Sequence, residues 1–356
     1  MIGLLSKTVL FPYYIILKIR NLCYDRGWIK SVRYTIPIIC VGNITVGGTG
    51  KTPHIEMIIR YLGQLGHIAV LSRGYKRKSR GFRFVECSDS FIESGDEPLQ
   101  IKQKFPWVTV AVCKNRIEGV ERLLSMERPP DVILLDDAFQ YRKIRPLHSI
   151  LLIDSNRSIK GDNLLPIGRL RDLPGQIKRA ESVIITKCSL AVEYEPGFID
   201  ELRTAEVVKV ERERWQRALG MGDGRSLYFS SISYGVPLPV FALGGDKRYL
   251  YSGSAICFSG IADDRSFKNH ICRNYRLLSS IKFADHRNFT ESDIRSIENL
   301  ACKYPTAVIF TTEKDSKRLF EYKSISSMLA KRLFYIPIEV NILPEKERDS
   351  FVAGLI

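Results

Sequence analysis

Histidine is scarce, five in 356 residues, and the eight cysteines, at 23, 40, 87, 113, 188, 257, 272 and 302, form no C-x-x-C pair. That speaks against a zinc ribbon or a thioredoxin-type site. Scattered, unpaired cysteines fit a reducing compartment better than a disulfide scaffold. Long apolar runs are missing too. Val9–Leu17 is interrupted by Pro12 and ended by Lys18, well short of the roughly 20 apolar residues that span a bilayer. No small-residue cleavage site follows it, so it does not read as a secretory signal. There is no internal repeat and no low-complexity tract. Acids are in deficit, 39 against 54 basic residues, which leaves a net charge of +15. Such an excess favours an anionic partner, whether nucleic acid, a phosphorylated small molecule or an acidic membrane surface, without choosing among them.

What is present is a globular composition, 45% apolar and 26% charged, in a chain long enough for two domains that each bury a core. Residues 1–35 carry six basic residues (Lys7, Lys18, Arg20, Arg26, Lys30, Arg33) and one acid, Asp25, around Phe11, Tyr13 and Tyr14. Rings at headgroup level between cationic ends suit an interfacial helix; a helix packed on the protein's own core explains the pattern equally well. From residue 36 short apolar runs alternate with helical patterns. Ile36–Val41, Ile68–Leu71, Val108–Val112, Val132–Leu135, Ile150–Ile153 and Val183–Ile185 read as strands, and 52–65, 116–126 and 195–215 as helices. That alternation predicts an α/β fold, a parallel sheet covered by helices. The expected organisation is a 36–215 phosphate-loop domain, a 216–254 linker with hairpin-like strands, and a smaller α/β domain at 255–356 with strands Ala255–Ser259, Ala307–Thr311 and Leu333–Val340.

The strongest signal is Thr45-Val46-Gly47-Gly48-Thr49-Gly50-Lys51-Thr52-Pro53 between a strand and an amphipathic helix. Glycines let the backbone curl so that several N–H groups face one anion, and the helix start adds partial positive charge. Lys51 is expected at the β- and γ-phosphates of a nucleotide and the Thr52 hydroxyl on Mg²⁺. Thr45 stands where such loops usually carry glycine. The complementary half is Asp131-Val-Ile-Leu-Leu-Asp136-Asp137, an apolar strand ending in two acids where α/β sheets bind ligands; one of them should hold the metal. Ser94-Gly95-Asp96-Glu97-Pro98 has two readings. Ser94 and Glu97 have capping-box spacing. Alternatively Asp96 orients or deprotonates an acceptor hydroxyl while Glu97 supports metal. His286, between Asp285 and Arg287, makes a site possible. Six cations fall in the twelve residues from Ser72 to Arg83, and the loop, with Arg73 and Tyr75, can clamp an anionic substrate; Arg171 can neutralise transferring phosphate charge. Aromatics are not interleaved for base stacking, so nucleic acid is not the expected partner.

Taken together, these motifs resemble the tetraacyldisaccharide 4'-kinases, the lipid A 4'-kinases of Gram-negative bacteria. The resemblance covers most of the chain. It rests on Gly42-Asn43 with the Thr45–Pro53 loop, Ser72-Arg73-Gly74-Tyr75, Gly95-Asp96-Glu97-Pro98, Asp136-Asp137-Ala138-Phe139-Gln140, Leu164–Gly168 with Leu170-Arg171, Asp285-His286 and Thr312-Glu313-Lys314-Asp315. It implies transfer of the γ-phosphate of ATP, with Mg²⁺, to the 4'-hydroxyl of a tetraacylated disaccharide 1-phosphate, giving lipid IVA. It also implies peripheral attachment at the cytoplasmic face of the inner membrane and no protein partner. It assigns Asp96 as catalytic with His286 as its partner, and gathers Thr52, Glu97, Asp136 and Asp137 around the metal. Ala138, Tyr141 and Arg287 depart from the family pattern, which has glycine, histidine and a second histidine there. A regulatory ATPase or GTPase is the rival reading. Against it, Thr186-Lys187 lacks the aspartate of a guanine-reading motif, and Thr45 replaces the early lysine of partitioning ATPases.

Overall fold

Successive residues of the apolar runs enter two different cores. Ile38, Cys40, Leu71, Leu135, Leu151 and Ile185 belong to one buried cluster; Ile39, Val41, Val70, Leu134, Leu152 and Ile184 belong to another. A strand with apolar residues on both faces has to lie inside a sheet covered on both sides, which is why the pattern is continuous rather than alternating. The structure, a computed structural model, describes residues 2–157, 159–195, 198–222, 225–241, 244–284, 289–319 and 325–356. It falls into two units, Met1–Ile232 with Val340–Ile356, and Ser233–Glu339.

The first unit begins with helix α1 (Ile2–Asp25) and strand β1 (Ile38–Gly42), followed by α2 (Lys51–Leu62), β2 (Ile68–Ser72) and β3 (Arg83–Phe84). Helices α3 (Phe91–Ser94) and α4 (Asp96–Lys104) lead to β4 (Thr109–Val112), α5 (Arg116–Leu124), β5 (Val132–Asp136), β6 (His148–Asp154) and β7 (Ser182–Thr186). A hairpin, β8 (Glu193–Glu195) and β9 (Phe198–Ile199), precedes α6 (Glu201–Leu219) and β10 (Ser226–Tyr234). With the later strand β16 (Ile338–Leu343) at one edge, the sheet has nine strands in the order β16-β10-β7-β6-β1-β5-β2-β4-β3. β1 pairs in parallel with both β5 and β6, so the chain after β1 emerges between their carboxyl ends. α2 and α4 cover one face through Ile55, Ile58, Leu99 and Ile101, and α1, α5 and α6 the other through Leu17, Val120, Leu123 and Val208.

The second unit has a five-stranded sheet. Its strands are β11 (Leu238–Pro239), β12 (Ser254–Ser259), β13 (Arg276–Lys282), β14 (Val308–Thr312) and β15 (Leu333–Ile336), with helices α7 (Arg265–Asn274), α8 (Glu291–Lys303), α9 (Glu313–Leu319) and α10 (Ser327–Arg332). β12 to β15 are parallel and β11 is an antiparallel edge. β16 (Ile338–Leu343) and α11 (Glu347–Ala353) then return to the first unit.

Several boundaries differ from the expectation. The single strand Leu333–Val340 is two strands on either side of Pro337, whose nitrogen cannot donate to a ladder. The last seventeen residues do not stay with the second domain, because Val340, Ile342, Phe351 and Leu355 are buried in the core beside α2. The expected 216–254 linker contains β10, a sheet strand parallel to β7. β13 escaped sequence reading because it is an edge strand with charged ends and half-exposed residues. Among the described residues, no helix is long and apolar enough to cross a membrane.

Candidate active site

The loop between β1 and α2 is tied to its surroundings in both halves. Arg171 N donates to Ile44 O at 2.8 Å and Val46 N to Arg169 O at 2.7 Å, so the 169–171 segment runs beside the loop's first half. In its second half, Asn43 Nδ2 donates to Thr49 Oγ1 at 2.7 Å and Thr186 Oγ1 to Thr49 O at 3.1 Å. Gly50, with φ at 86°, starts α2 in a left-handed conformation that favours glycine. Its carbonyl lies 2.6 Å from His54 Nδ1, and His54 Nε2 lies 2.9 Å from Ser230 Oγ. A carbonyl only accepts, so Nδ1 carries the proton and Ser230 donates to Nε2. Burial drives the pKa of His54 down to about 4, with the bond to Gly50 a lesser opposing influence. Thr49 and Gly50 therefore turn carbonyls into the protein, and a helix start has amides without helical acceptors, which an anion can use.

β5 places the acid pair level with that loop, since Val41 of β1 and Asp136 are register partners. Asp136 is buried. Its Oδ2 accepts from Ser72 Oγ at 2.9 Å, while its Oδ1 has no hydrogen-bond partner among the described residues. Burial first, and then the charges of Asp137 and Glu97, push its pKa up to about 6, against the lowering pull of Lys51 and Ser72. Asp137 goes the other way. Burial works to raise its pKa, but two hydrogen bonds from Arg171, at 2.7 and 3.0 Å, and the charge of Lys51 hold it below the usual carboxylate range. Lys51 Nζ stands 3.9 Å from Asp137 Oδ1. Asp137 also has φ at 48°, rare for a residue with a side chain, and such strain collects at functional sites. Adjacent carboxylates thus differ in charge preference, the usual mark of divided roles.

An orphaned, buried carboxylate oxygen with a raised pKa is what an absent cation would relieve. No three His, Cys, Asp or Glu side chains among the described residues are grouped as a metal cage. Mg²⁺ is commonly held by one or two carboxylates, with water and phosphate oxygens supplying the rest. Asp136, with Thr52 at the second position of α2, fits that ion.

Asp96 opens α4. The capping box forms not at Ser94 and Glu97 but at Ser90 and Glu93, on α3. Ser94 instead donates to Ser90 O at 3.1 Å. The N-cap of α4 is Gly95, at φ 92°. A Cβ on Gly95 would stand 3.3 Å from Tyr75 O and 3.4 Å from Gly74 Cα, so the chain leaving β2 passes directly over the start of α4. The sequence-assigned residues Lys51, Asp136, Asp137 and Glu97 thereby share one electrostatic neighbourhood. Arg171 joins them through Asp137 rather than standing apart for substrate. Arg73 and Tyr75 remain exposed on the loop beside Gly95. In the same loop Arg77 bonds Ser79 and Gly81, and Arg83 pairs with Asp89 at 2.6 Å, so these two cations brace the loop itself. His286 lies outside the described residues.

Sequence reasoning missed Arg116, His54 and Gln140. Arg116 is buried and donates to Cys113 O and Asp136 O at 2.8 and 3.2 Å, fixing the turn into the acid pair. Gln140 donates to Asn43 O. Nothing in the local pattern distinguishes Arg116 from a solvated helix cation. Gln140 and Asn43 stood inside recognised motifs but without a partner. Lys187, the lysine of the rejected guanine motif, pairs with Asp154 at 2.8 Å.

Known proteins resemble the chain over nearly its whole length. The family described as tetraacyldisaccharide-1-P 4'-kinase matches residues 4–356. The tetraacyldisaccharide 4'-kinase of Bacteroides thetaiotaomicron is 36% identical over 357 residues, covering 97% of this chain and 90% of the relative. That of Porphyromonas gingivalis (strain ATCC 33277) is 37% identical over 339 residues, covering 93% and 90%. The crystal structure of the "apo" form of LpxK from Aquifex aeolicus in complex with ATP is similar over 98% of this chain and 99% of that one, with 25% identity and a TM-score of 0.69.

Proposed function

Because the chain belongs to the tetraacyldisaccharide-1-P 4'-kinase family, we propose that the loop 45–52, the acid pair and Asp96 carry out its phosphoryl transfer. The protein is an ATP-dependent kinase that phosphorylates the 4'-hydroxyl of tetraacyldisaccharide 1-phosphate to give lipid IVA in lipid A biosynthesis. The observation that carries the site assignment is the convergence at the carboxyl end of β5 of Lys51, Asp136, Asp137, Glu97 and Arg171 beside the start of α2.

Residues Thr45 to Thr52 wrap the triphosphate with main-chain amides. Lys51 meets the β- and γ-phosphate oxygens, exchanging its 3.9 Å approach to Asp137 for a closer anion. Arg171, anchored on Asp137, keeps the opposite wall of the site positive. Asp136 and Thr52 would hold Mg²⁺, with Glu97 in support; an ion bound there would neutralise charge on the phosphate oxygens. Asp96 accepts the proton of the 4'-hydroxyl as its oxygen bonds to the γ-phosphorus. The bond from that phosphorus to the β,γ-bridging oxygen breaks, and ADP leaves with the electron pair. Such a transfer asks the protein mainly for alignment and charge. Arg73 and Tyr75 suit the substrate's phosphate and sugar. His286, assigned by resemblance as the partner of Asp96, enters no step derived from the described residues.

The substrate is a lipid, and α1 supplies a surface for it. Phe11, Ile16, Ile19 and Leu22 are exposed at 61%, 61%, 55% and 43%. The same helix is docked through Leu17, through Asn21 to Asp172 at 2.9 Å, and through Asp25 to Arg142 at 2.7 Å. The docked face bears out a helix packed on the protein's own core, and the exposed apolar face supports the interfacial reading. The free apolar face and flanking cations suit peripheral attachment to an anionic bilayer, here the cytoplasmic side of the inner membrane.

The test is incubation with γ-labelled ATP and tetraacyldisaccharide 1-phosphate, followed by mapping of the label. Label on the 4'-oxygen is expected. Release of inorganic phosphate at the same rate with and without the glycolipid would instead mark a regulatory ATPase.

A further inference from the structure

Glu56 has no part in the chemistry above, yet it is a carboxylate with 1% exposure. It lies on α2, and both of its oxygens are engaged by α4. Gln100 Nε2 donates to Oε1 at 2.8 Å, and Lys104 Nζ donates to Oε2 at 2.8 Å. An ion pair at a helix interface is weak evidence for stability, because apolar side chains of similar volume serve as well or better. What a directional pair can add is register. Around it α2 and α4 meet the sheet through Ile55, Ile58, Ile59, Leu99 and Ile101, contacts that are non-directional and by themselves tolerate sliding.

The spacing of the polar groups is what connects them to the active site. Thr52 and Glu56 are four residues apart on α2. Asp96, Gln100 and Lys104 are successively four apart on α4. Residues i and i+4 share a helix face, about 6 Å apart along the axis. Glu56 therefore stands one turn beyond Thr52, and Gln100 one turn beyond Asp96. The bond between them is a rung joining the helix that binds phosphate to the helix that carries the acceptor base, one turn behind the reacting groups. Lys104 braces the rung from the next turn.

We propose that Glu56, Gln100 and Lys104 form a positioning clamp that fixes the spacing and rotation of α4 against α2, and so holds Asp96 in line with the γ-phosphate bound at Lys51 and Thr52. Glu56 and Gln100 are positioning residues, since neither touches a reacting atom. The proposal rests on the assignment of Asp96 to the acceptor hydroxyl.

The test uses the full-length protein. Gln100→Met keeps side-chain length and helix propensity and leaves Glu56 paired with Lys104, so the fold is retained. A misplacement of about 1 Å costs on the order of 100-fold in rate, and kcat for 4'-phosphorylation is expected to fall at least tenfold, with KM and Kd for ATP within about twofold of native. The exchange Glu56→Gln with Gln100→Glu restores an amide-to-carboxylate bond in reverse, with the carboxylate still four residues from Lys104. It is expected to recover kcat to within about threefold of native, a rescue that mere stabilisation does not require. The clamp is overturned if Gln100→Met lowers the melting temperature but leaves kcat unchanged, if KM for ATP rises in step with the loss, or if the exchange fails to restore turnover while remaining folded. Asp96→Asn, assayed alongside, separates the two ideas. Native turnover in that variant removes the base assignment, whereas native turnover in Gln100→Met alone removes only the clamp.

Discussion

Asp136 and Asp137 are neighbours in the chain with opposite electrostatics, and the difference makes a test. Asp136 is ionised at neutral pH against a pKa raised to about 6 by burial and by Asp137 and Glu97. A carboxyl raised on folding costs stability as the pH climbs above its unfolded value, near 3.9, and that cost is complete above about 6, where it amounts to about 3 kcal/mol. Asp136→Asn should therefore raise the melting temperature at pH 7.5 without nucleotide while abolishing phosphorylation, as calorimetry and the label assay will read. His54 has the reverse sign. Its folded pKa is depressed to about 4, so its contribution to stability is whole above the unfolded value, near 6.5, and is lost as the pH falls toward 4; by pH 5 the loss is about 2 kcal/mol. Urea unfolding at pH 7 and pH 5 should show a smaller difference in His54→Gln than in the native chain. Lys51→Ala should eliminate transfer with the urea midpoint within experimental scatter of native, because its side chain is no part of either core. Asp96→Asn should lower kcat at least a hundredfold with ATP affinity within about twofold, the signature of a group acting on the acceptor. Loss of ATP binding in step with kcat would move Asp96 to the metal.

At the scale of elements, α1 has two faces with different work. The face bearing Leu17 and Asn21 is committed to the protein, and the face bearing Phe11, Ile16 and Ile19 is not. Burying each such side chain is worth about 1.5–3 kcal/mol. The triple substitution Phe11→Ser, Ile16→Ser and Ile19→Ser should weaken co-sedimentation with anionic vesicles by at least about tenfold. Turnover of detergent-dispersed substrate should stay near native. Raising the salt concentration should weaken vesicle binding of the native chain as well, since exposed cations are screened. Unchanged sedimentation in the triple variant would count against α1 as a membrane-binding surface. α4 is the second instructive element. Its sequence suggested a capping box at Ser94 and Glu97; the box sits on α3 instead, and Gly95 is the N-cap of α4.

For the whole molecule, the main consequence is that the chain ends in the unit where it began. Phe351 and Leu355 are 1% and 0% exposed in the core beside α2, and Phe351 meets Tyr228 edge to face at 5.1 Å. Phe351→Ala should destabilise that unit by about 3–5 kcal/mol. Denaturant unfolding read through the nucleotide site should register the change although residue 351 lies far in sequence from the loop at 45–52.

The sequence by itself determined whatever is written in consecutive residues: the apolar strands, the curl of the phosphate loop, the acids at the end of β5, and through their order the family. These are legible because main-chain geometry and side-chain periodicity act over a few residues. The tertiary structure decided the partners. Arg171 reaches Asp137 across 34 residues, Gln100 reaches Glu56 across 44, Thr186 reaches Thr49 across 137, and His54 reaches Ser230 across 176. The order β6-β1-β5 and the return of β16 beside β10 bring such groups together. A hydrogen bond depends on distance in space, and periodicity along one element shows which face is buried without saying which side chain will meet it there.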